Sequence, residues 1–125
     1  MPIFSQSQRY REVQAATASP AELVVLLYEA AIGAVRQARR FLEERDFNHA
    51  HQQTVKAQKA IAELLAVLDC ERGGRLAANL QDIYRFLLQH LMQANLHKDG
   101  KRLAEVEQLL EPLRDAWAQL AKTFS

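Results

Sequence analysis

Apolar side chains along this 125-residue chain recur mainly at intervals of three and four residues, the spacing of one face of an α-helix. Turn and capping residues divide the pattern into four stretches. The predicted helices run from about 20 to 44, 47 to 69, 75 to 97 and 99 to 123. No alternation of period two competes with them, so the sequence predicts an all-α fold.

The strongest helix start is the tetrapeptide at residues 19–22. Ser19 can cap the helix, Pro20 suits its first position, and Glu22 completes a capping box. Later turn signals are Asp46, which can cap the second helix, and the Gly73-Gly74 and Asp99-Gly100 pairs. Since the connections are short, the four helices are predicted to form an antiparallel up-down bundle.

Two segments depart from this regular pattern. Residues 1–18 are polar with scattered apolar positions, and we expect an irregular N-terminal arm ahead of a single bundle domain at 19–125. Pro112 falls inside the last helix, where it lacks an N–H and clashes with the preceding turn. The last helix is therefore predicted to be kinked or split near Pro112.

Two helices carry more apolar residues than one core stripe requires. On helix one, Leu23, Leu27 and Ala30 begin the expected core stripe. The surplus positions of helices one and three are Val25, Tyr28, Ile32, Val35, Tyr84, Leu88 and Met92. Part of this apolar surface could be the half-buried flank of the bundle. The remaining apolar surface must be covered, because exposed apolar patches promote aggregation. The candidate covers are the N-terminal arm, a second copy in a homodimer, or an amphipathic helix of a partner protein.

Composition and residue spacing argue against catalysis, metal binding and attachment to nucleic acid or membranes. With 16 basic and 15 acidic residues, the net charge of +1 predicts no general attraction to nucleic acid or to an anionic membrane. No signal peptide pattern and no apolar run of ~20 residues is present, so no membrane insertion is expected. The four histidines lack the spacing of a bundle metal site, and Cys70, the single cysteine, is flanked by acids. We therefore expect no catalytic residue, no cofactor and no metal, and a protein that is not an enzyme.

Beyond these patterns, the residues resemble one known family. Tyr10, Thr17 to Pro20 and Glu22 to Tyr28 look like the N-terminal signature of the flagellar secretion chaperone (FliS) family. The similarity continues to about residue 120, in order, through Lys56-Ala57, Ile61 to Asp69, Gly73-Gly74, Leu76-Ala77, Asn79-Leu80, Tyr84, Leu91, Ala94-Asn95, Val106, Leu109-Leu110, Leu113-Arg114 and Trp117.

The resemblance implies an antiparallel helical bundle that works in the cytoplasm by binding alone. Its implied partner is the disordered C-terminal segment of flagellin, which it keeps from premature polymerisation and delivers to the type III export apparatus. Other flagellar regulatory proteins are further implied partners, and Tyr10 would belong to an arm that caps a groove. The predicted partner-binding residues are Tyr10, Val25, Tyr28, Ile32, Val35, Tyr84, Leu88, Met92 and Asn95. The alternative is a self-associating helical bundle without flagellin specificity.

Overall fold

The computed structural model describes residues 21–124, and they form four α-helices. The helices are α1 (Ala21–Glu43), α2 (Phe47–Ala66), α3 (Cys70–His97) and α4 (Gly100–Phe124). This confirms the predicted all-α four-helix fold. The arm at 1–18 with Tyr10, and the predicted cap at Ser19-Pro20, lie outside the described residues, so the division into arm and bundle stays a prediction.

Local capping accounts for most of the helix boundaries. Asp46 precedes α2 and its carboxylate accepts a hydrogen bond from the His49 N–H at 3.2 Å. Asp69 does the same for α3, accepting from the Arg72 N–H at 3.1 Å. As a result α2 ends at Ala66 rather than at Asp69, and α3 begins five residues before the predicted start at residue 75.

A break inside α3 reconciles the predicted start with the observed one. Gly74 has φ 58° and ψ −133°, a conformation that glycine adopts readily and that other residues avoid. The chain therefore makes a short turn at 70–73 before the main helix begins. The predicted break at Gly73-Gly74 is confirmed, with one helical turn on its N-terminal side.

The four helices pack as a closed ring. Helix α1 lies against α2 and α4, and α3 also lies against α2 and α4, so that α1 and α3 occupy diagonal positions. Tyr28, near the start of α1, meets Trp117, near the end of α4. His51, near the start of α2, meets Asn95, near the end of α3. Neighbouring helices that run in opposite directions bring such pairs together.

Helix α4 is one continuous helix from Gly100 to Phe124, with Pro112 in its interior. The alternative of two separate helices is therefore wrong, whereas a bend at Pro112 stays a prediction. Pro112 lies on the exposed face, where the carbonyl that loses its helical partner can bond to water.

Candidate partner-binding surface

Four of the predicted partner-binding residues are core residues. Tyr28, Val35, Ile32 and Tyr84 are at most 1% exposed. A partner cannot reach these side chains in this conformation, so the prediction that they form a binding stripe is wrong. The expected core position Leu23 is instead 42% exposed.

The correction has a geometric cause. Helix α1 contacts α2 on one side and α4 on the other, and it also faces α3 across the bundle. Three neighbours bury a wider arc of α1 than a single stripe would fill. The buried arc is centred on Tyr28 and Ile32, which turns Leu23 and Ala30 towards solvent.

A hydrogen-bonded tyrosine pair crosses the middle of this core. The Tyr28 and Tyr84 hydroxyl oxygens are 2.6 Å apart, and either one can donate. Burial raises the pKa of Tyr84 to about 12, although its hydrogen bond with Tyr28 opposes the shift. Burial also raises the pKa of Tyr28, and the neighbouring Tyr84 adds to the increase. Both hydroxyls are therefore neutral at physiological pH, and their pairing satisfies two polar groups that would otherwise be buried alone.

The other predicted residues on α3 remain accessible. Leu88 is half-buried, Met92 is 49% exposed, and Asn95 is half-buried. Their spacing of four and three places them on one side of α3, and Asn95 identifies that side as the one facing α2. Its amide Nδ2 lies 2.9 Å from Nδ1 of His51.

We call this surface the α2–α3 groove and define it by His51, Val55, Leu88, Met92 and Asn95. Val55 belongs to it because it is half-buried and lies one turn after His51 on α2. Val25, the remaining predicted residue of α1, is half-buried and packs on the core elsewhere in the bundle.

Sequence reasoning missed several exposed apolar side chains on α3 and α4. Phe86 is 50% exposed and Leu109 is 43% exposed. The ring of Phe86 stacks on His90, with centroids 5.0 Å apart, and His90 Nε2 lies 2.6 Å from Oε1 of Glu105 on α4. Since Phe86 and Leu109 each lie one turn from this pair, they flank the contact between α3 and α4. In the sequence, each of these two residues is an apolar residue next to a core position. Helical periodicity alone does not distinguish such a neighbour from a core residue.

Charged side chains cover the contact between α1 and α4. Arg36 Nε and Arg39 Nη1 each donate to the Glu107 carboxylate at 2.6 Å, and Arg36 also bonds to Glu111. Burial acts to raise the pKa of Glu107, but the hydrogen bonds from the two arginines outweigh it and lower that pKa below its ordinary value. This side of the bundle therefore presents paired charges, unlike the α2–α3 groove.

The described residues can also be compared with the requirements of a metal site and of a membrane span. Across residues 21–124, no three His, Cys, Asp or Glu side chains are grouped so that they could hold a metal ion. None of the described helices is both long enough and apolar enough to cross a membrane. The accessible features are thus apolar side chains beside polar ones, an arrangement suited to binding a polypeptide.

Comparison with known proteins agrees with this geometry. The family model described as Flagellar protein FliS matches residues 4–123. The flagellar secretion chaperone FliS of Salmonella typhimurium is 38% identical over 110 residues, which covers 87% of this chain and 82% of that protein. The flagellar secretion chaperone FliS of Bacillus subtilis is 34% identical over 119 residues, covering 95% and 88%. Flagellar secretion chaperone FliSB of Pseudomonas aeruginosa is 34% identical over 106 residues, covering 85% and 84%. On this evidence the chain belongs to the FliS family of flagellar proteins.

Proposed function

We propose that this protein is a cytoplasmic flagellar export chaperone that binds the disordered C-terminal segment of flagellin. By binding, it prevents premature polymerisation and aids the secretion of flagellin during flagellum assembly, without catalysing a reaction. Membership of the FliS family and the names of its relatives support the assignment. The exposed apolar side chains of α3 support a mechanism that depends on binding alone.

The observation that carries the mechanism is the α2–α3 groove. Met92 is an adaptable apolar side chain that is half exposed, and Leu88 lies one turn before it. An amphipathic helix of flagellin can bury its apolar face against these two side chains. Asn95 and His51 at the end of the groove can pair with polar groups of the bound segment.

The chaperone effect follows from masking. The segment of flagellin that would pair with other subunits is buried against the groove instead. Ordering a disordered segment costs about 2–5 kcal/mol, so a large contact area is expected. Such a complex comes apart when the segment unfolds again, which suits a protein that must release its partner to the export apparatus.

A single calorimetric titration tests this proposal. The whole protein is titrated with a peptide spanning the C-terminal segment of the flagellin from the same cell. We expect saturable one-to-one binding with a negative heat-capacity change, because apolar surface is buried. In Met92→Asp the affinity should fall by about tenfold or more, since a carboxylate would be desolvated in the groove.

The matched control is Gln108→Asp, which adds the same charge at an exposed position on α4. Its affinity should equal that of the native protein. Equal weakening in both variants would show a general charge effect and remove the groove from the proposal. Absence of binding by the folded native protein would overturn the flagellin assignment, and sedimentation equilibrium would then test the alternative of a self-associating bundle.

A further inference from the structure

Phe47, the first residue of α2, has two cations on its ring. The guanidinium carbon of Arg45 lies 5.6 Å from the ring centroid, and Nζ of Lys98 lies 5.3 Å from it. These two basic residues are the non-glycine residues with left-handed backbone among residues 21–124, with φ of 59° and 53°. Side chains other than glycine and asparagine seldom occupy that conformation at a helix end. The chain therefore holds two positive charges against one aromatic ring, in two unusual backbone positions.

Neither cation is neutralised by the acids beside it in the sequence. Asp46 Oδ2 lies 2.8 Å from His49 Nδ1, and its other oxygen caps α2. Asp99 Oδ2 accepts from Arg102 Nε at 3.1 Å, and its Oδ1 accepts from backbone N–H groups. Within the described part of the chain, Arg45 and Lys98 form no ion pair with a carboxylate. Both cations are therefore available to an anion from outside the described residues.

A cavity opens next to Lys98. Its volume is about 210 Å³, and its lining combines apolar side chains (Leu42, Ala50 and Ala94) with the side-chain amides of Asn48 and Asn95. At about 30 Å³ per water, this space equals roughly seven waters. It is therefore too small for a helix of about 10 Å diameter and large enough for the end of a peptide chain.

The cavity lies at one end of the α2–α3 groove. His51 and Asn95 line both features, and Met92 lies one turn before Asn95 on α3. A segment that follows α3 from Leu88 towards Asn95 therefore arrives at the cavity, where Lys98 is part of the lining. Apolar surface for one side chain, amides for the main chain and a cation without a carboxylate partner suit the capture of a chain terminus.

We infer that this cavity receives the terminal carboxylate of the bound flagellin segment, an inference that rests on the proposed function. The carboxylate accepts a hydrogen bond from Lys98, which is charge-assisted and therefore stronger than a neutral one. The last apolar side chain packs on the apolar part of the lining, and Asn48 and Asn95 bond to the main chain. The groove then gives affinity along the segment, and the cavity sets its register.

The test compares two versions of one flagellin peptide, a free acid and a C-terminal amide, by calorimetry against the native protein. The free acid should bind about tenfold more tightly, because the amide removes the charge that Lys98 contacts. In Lys98→Asn this preference should shrink to less than about twofold, since asparagine keeps the left-handed backbone but loses the charge. The matched control, Lys101→Asn, removes an exposed charge outside the cavity and should keep the full preference.

Each outcome decides the inference. If acid and amide bind equally well to the native protein, the cavity does not hold the carboxylate, whereas the proposed function stands. A preference for the acid that survives in Lys98→Asn places the carboxylate elsewhere and also overturns the inference. If neither peptide binds, the proposed function fails, and the inference fails with it. The comparison on native protein needs no variant to fold, and Lys98→Gly provides a second variant that tolerates the left-handed backbone and lacks the charge.

Discussion

The α1–α4 side and the α2–α3 side of this bundle are closed in different ways. Between α1 and α4, Trp117 is buried against Tyr28, and the Glu107 carboxylate bonds two arginines across the surface. Between α2 and α3, the side-chain hydrogen bond joins His51 and Asn95, and Met92 is half exposed. The first side is covered by its own charged side chains, whereas the second exposes apolar area.

This contrast shows where a partner can act. A partner gains little by displacing paired charges that water already solvates, but it gains from burying exposed apolar atoms at about 25 cal/mol per Å². The predicted surplus residues of α1 are largely in the core, where Tyr28 and Ile32 lie, although Leu23 of the same helix is 42% exposed. Of the predicted surplus on α3, Met92 is left at the surface, 49% exposed.

We call the α1–α4 side the closed side and the α2–α3 side the open side. The largest expected effect comes from Trp117→Ala on the closed side. Trp117 is 6% exposed and packs on Tyr28 with ring centroids 6.4 Å apart, so its removal leaves a cavity in the core. We expect the free energy of unfolding to fall by about 3–5 kcal/mol, measured by urea denaturation. Met92→Ala on the open side is the comparison and should cost less than about 1 kcal/mol. Similar losses in both variants would contradict the division into a closed and an open side.

A smaller effect is expected from the tyrosine pair in the middle of the core. Tyr28→Phe leaves the buried Tyr84 hydroxyl without its partner at 2.6 Å, and the cost of an unsatisfied buried hydroxyl is about 1–3 kcal/mol. Tyr84→Phe should cost a similar amount. In the double variant both hydroxyls are gone, so the loss should be smaller than the sum of the two single losses. Additive losses in this double-mutant cycle would show that the hydroxyls do not depend on each other.

The smallest effect concerns the charged cover of the closed side. Because the pKa of Glu107 is lowered in the folded state, its contribution to stability is complete above the unfolded value of about 4.3 and is lost as pH falls through the folded pKa. Glu107→Gln should therefore be less stable than the native protein at neutral pH. The two proteins should converge in acid.

Thermal unfolding measured from pH 7 down to pH 3 checks this convergence. Glu105→Gln is the control, because Glu105 bonds His90 on the other side of α4 and contacts neither arginine. A constant difference between native protein and Glu107→Gln at every pH would contradict the charged contribution of Glu107. The difference should also shrink in high salt, since Arg36 and Arg39 are substantially exposed.

Local signals in the sequence were sufficient for the helices and for two of their turns. Asp46 and the Asp99-Gly100 pair mark the starts of α2 and α4 because capping and turn geometry involve only neighbouring residues. Asp69 was also a readable cap, but the next break signal in the sequence, Gly73-Gly74, comes after it, so the predicted second helix extends to Asp69. The family resemblance likewise depended on residues and their order alone, and the FliS match at 4–123 confirms it.

The sequence by itself thus determined four amphipathic helices and the family, since helical periodicity and motifs are written along the chain. Only the tertiary structure decided which apolar residues are buried. On a helix with apolar residues over more than half its circumference, periodicity cannot distinguish Leu23 from Tyr28. The choice depends on how many helices pack against it, and α1 has three neighbours. The same holds for the cations of Arg45 and Lys98, which are 53 residues apart in sequence and meet only because α2 and α3 bring their ends together around Phe47.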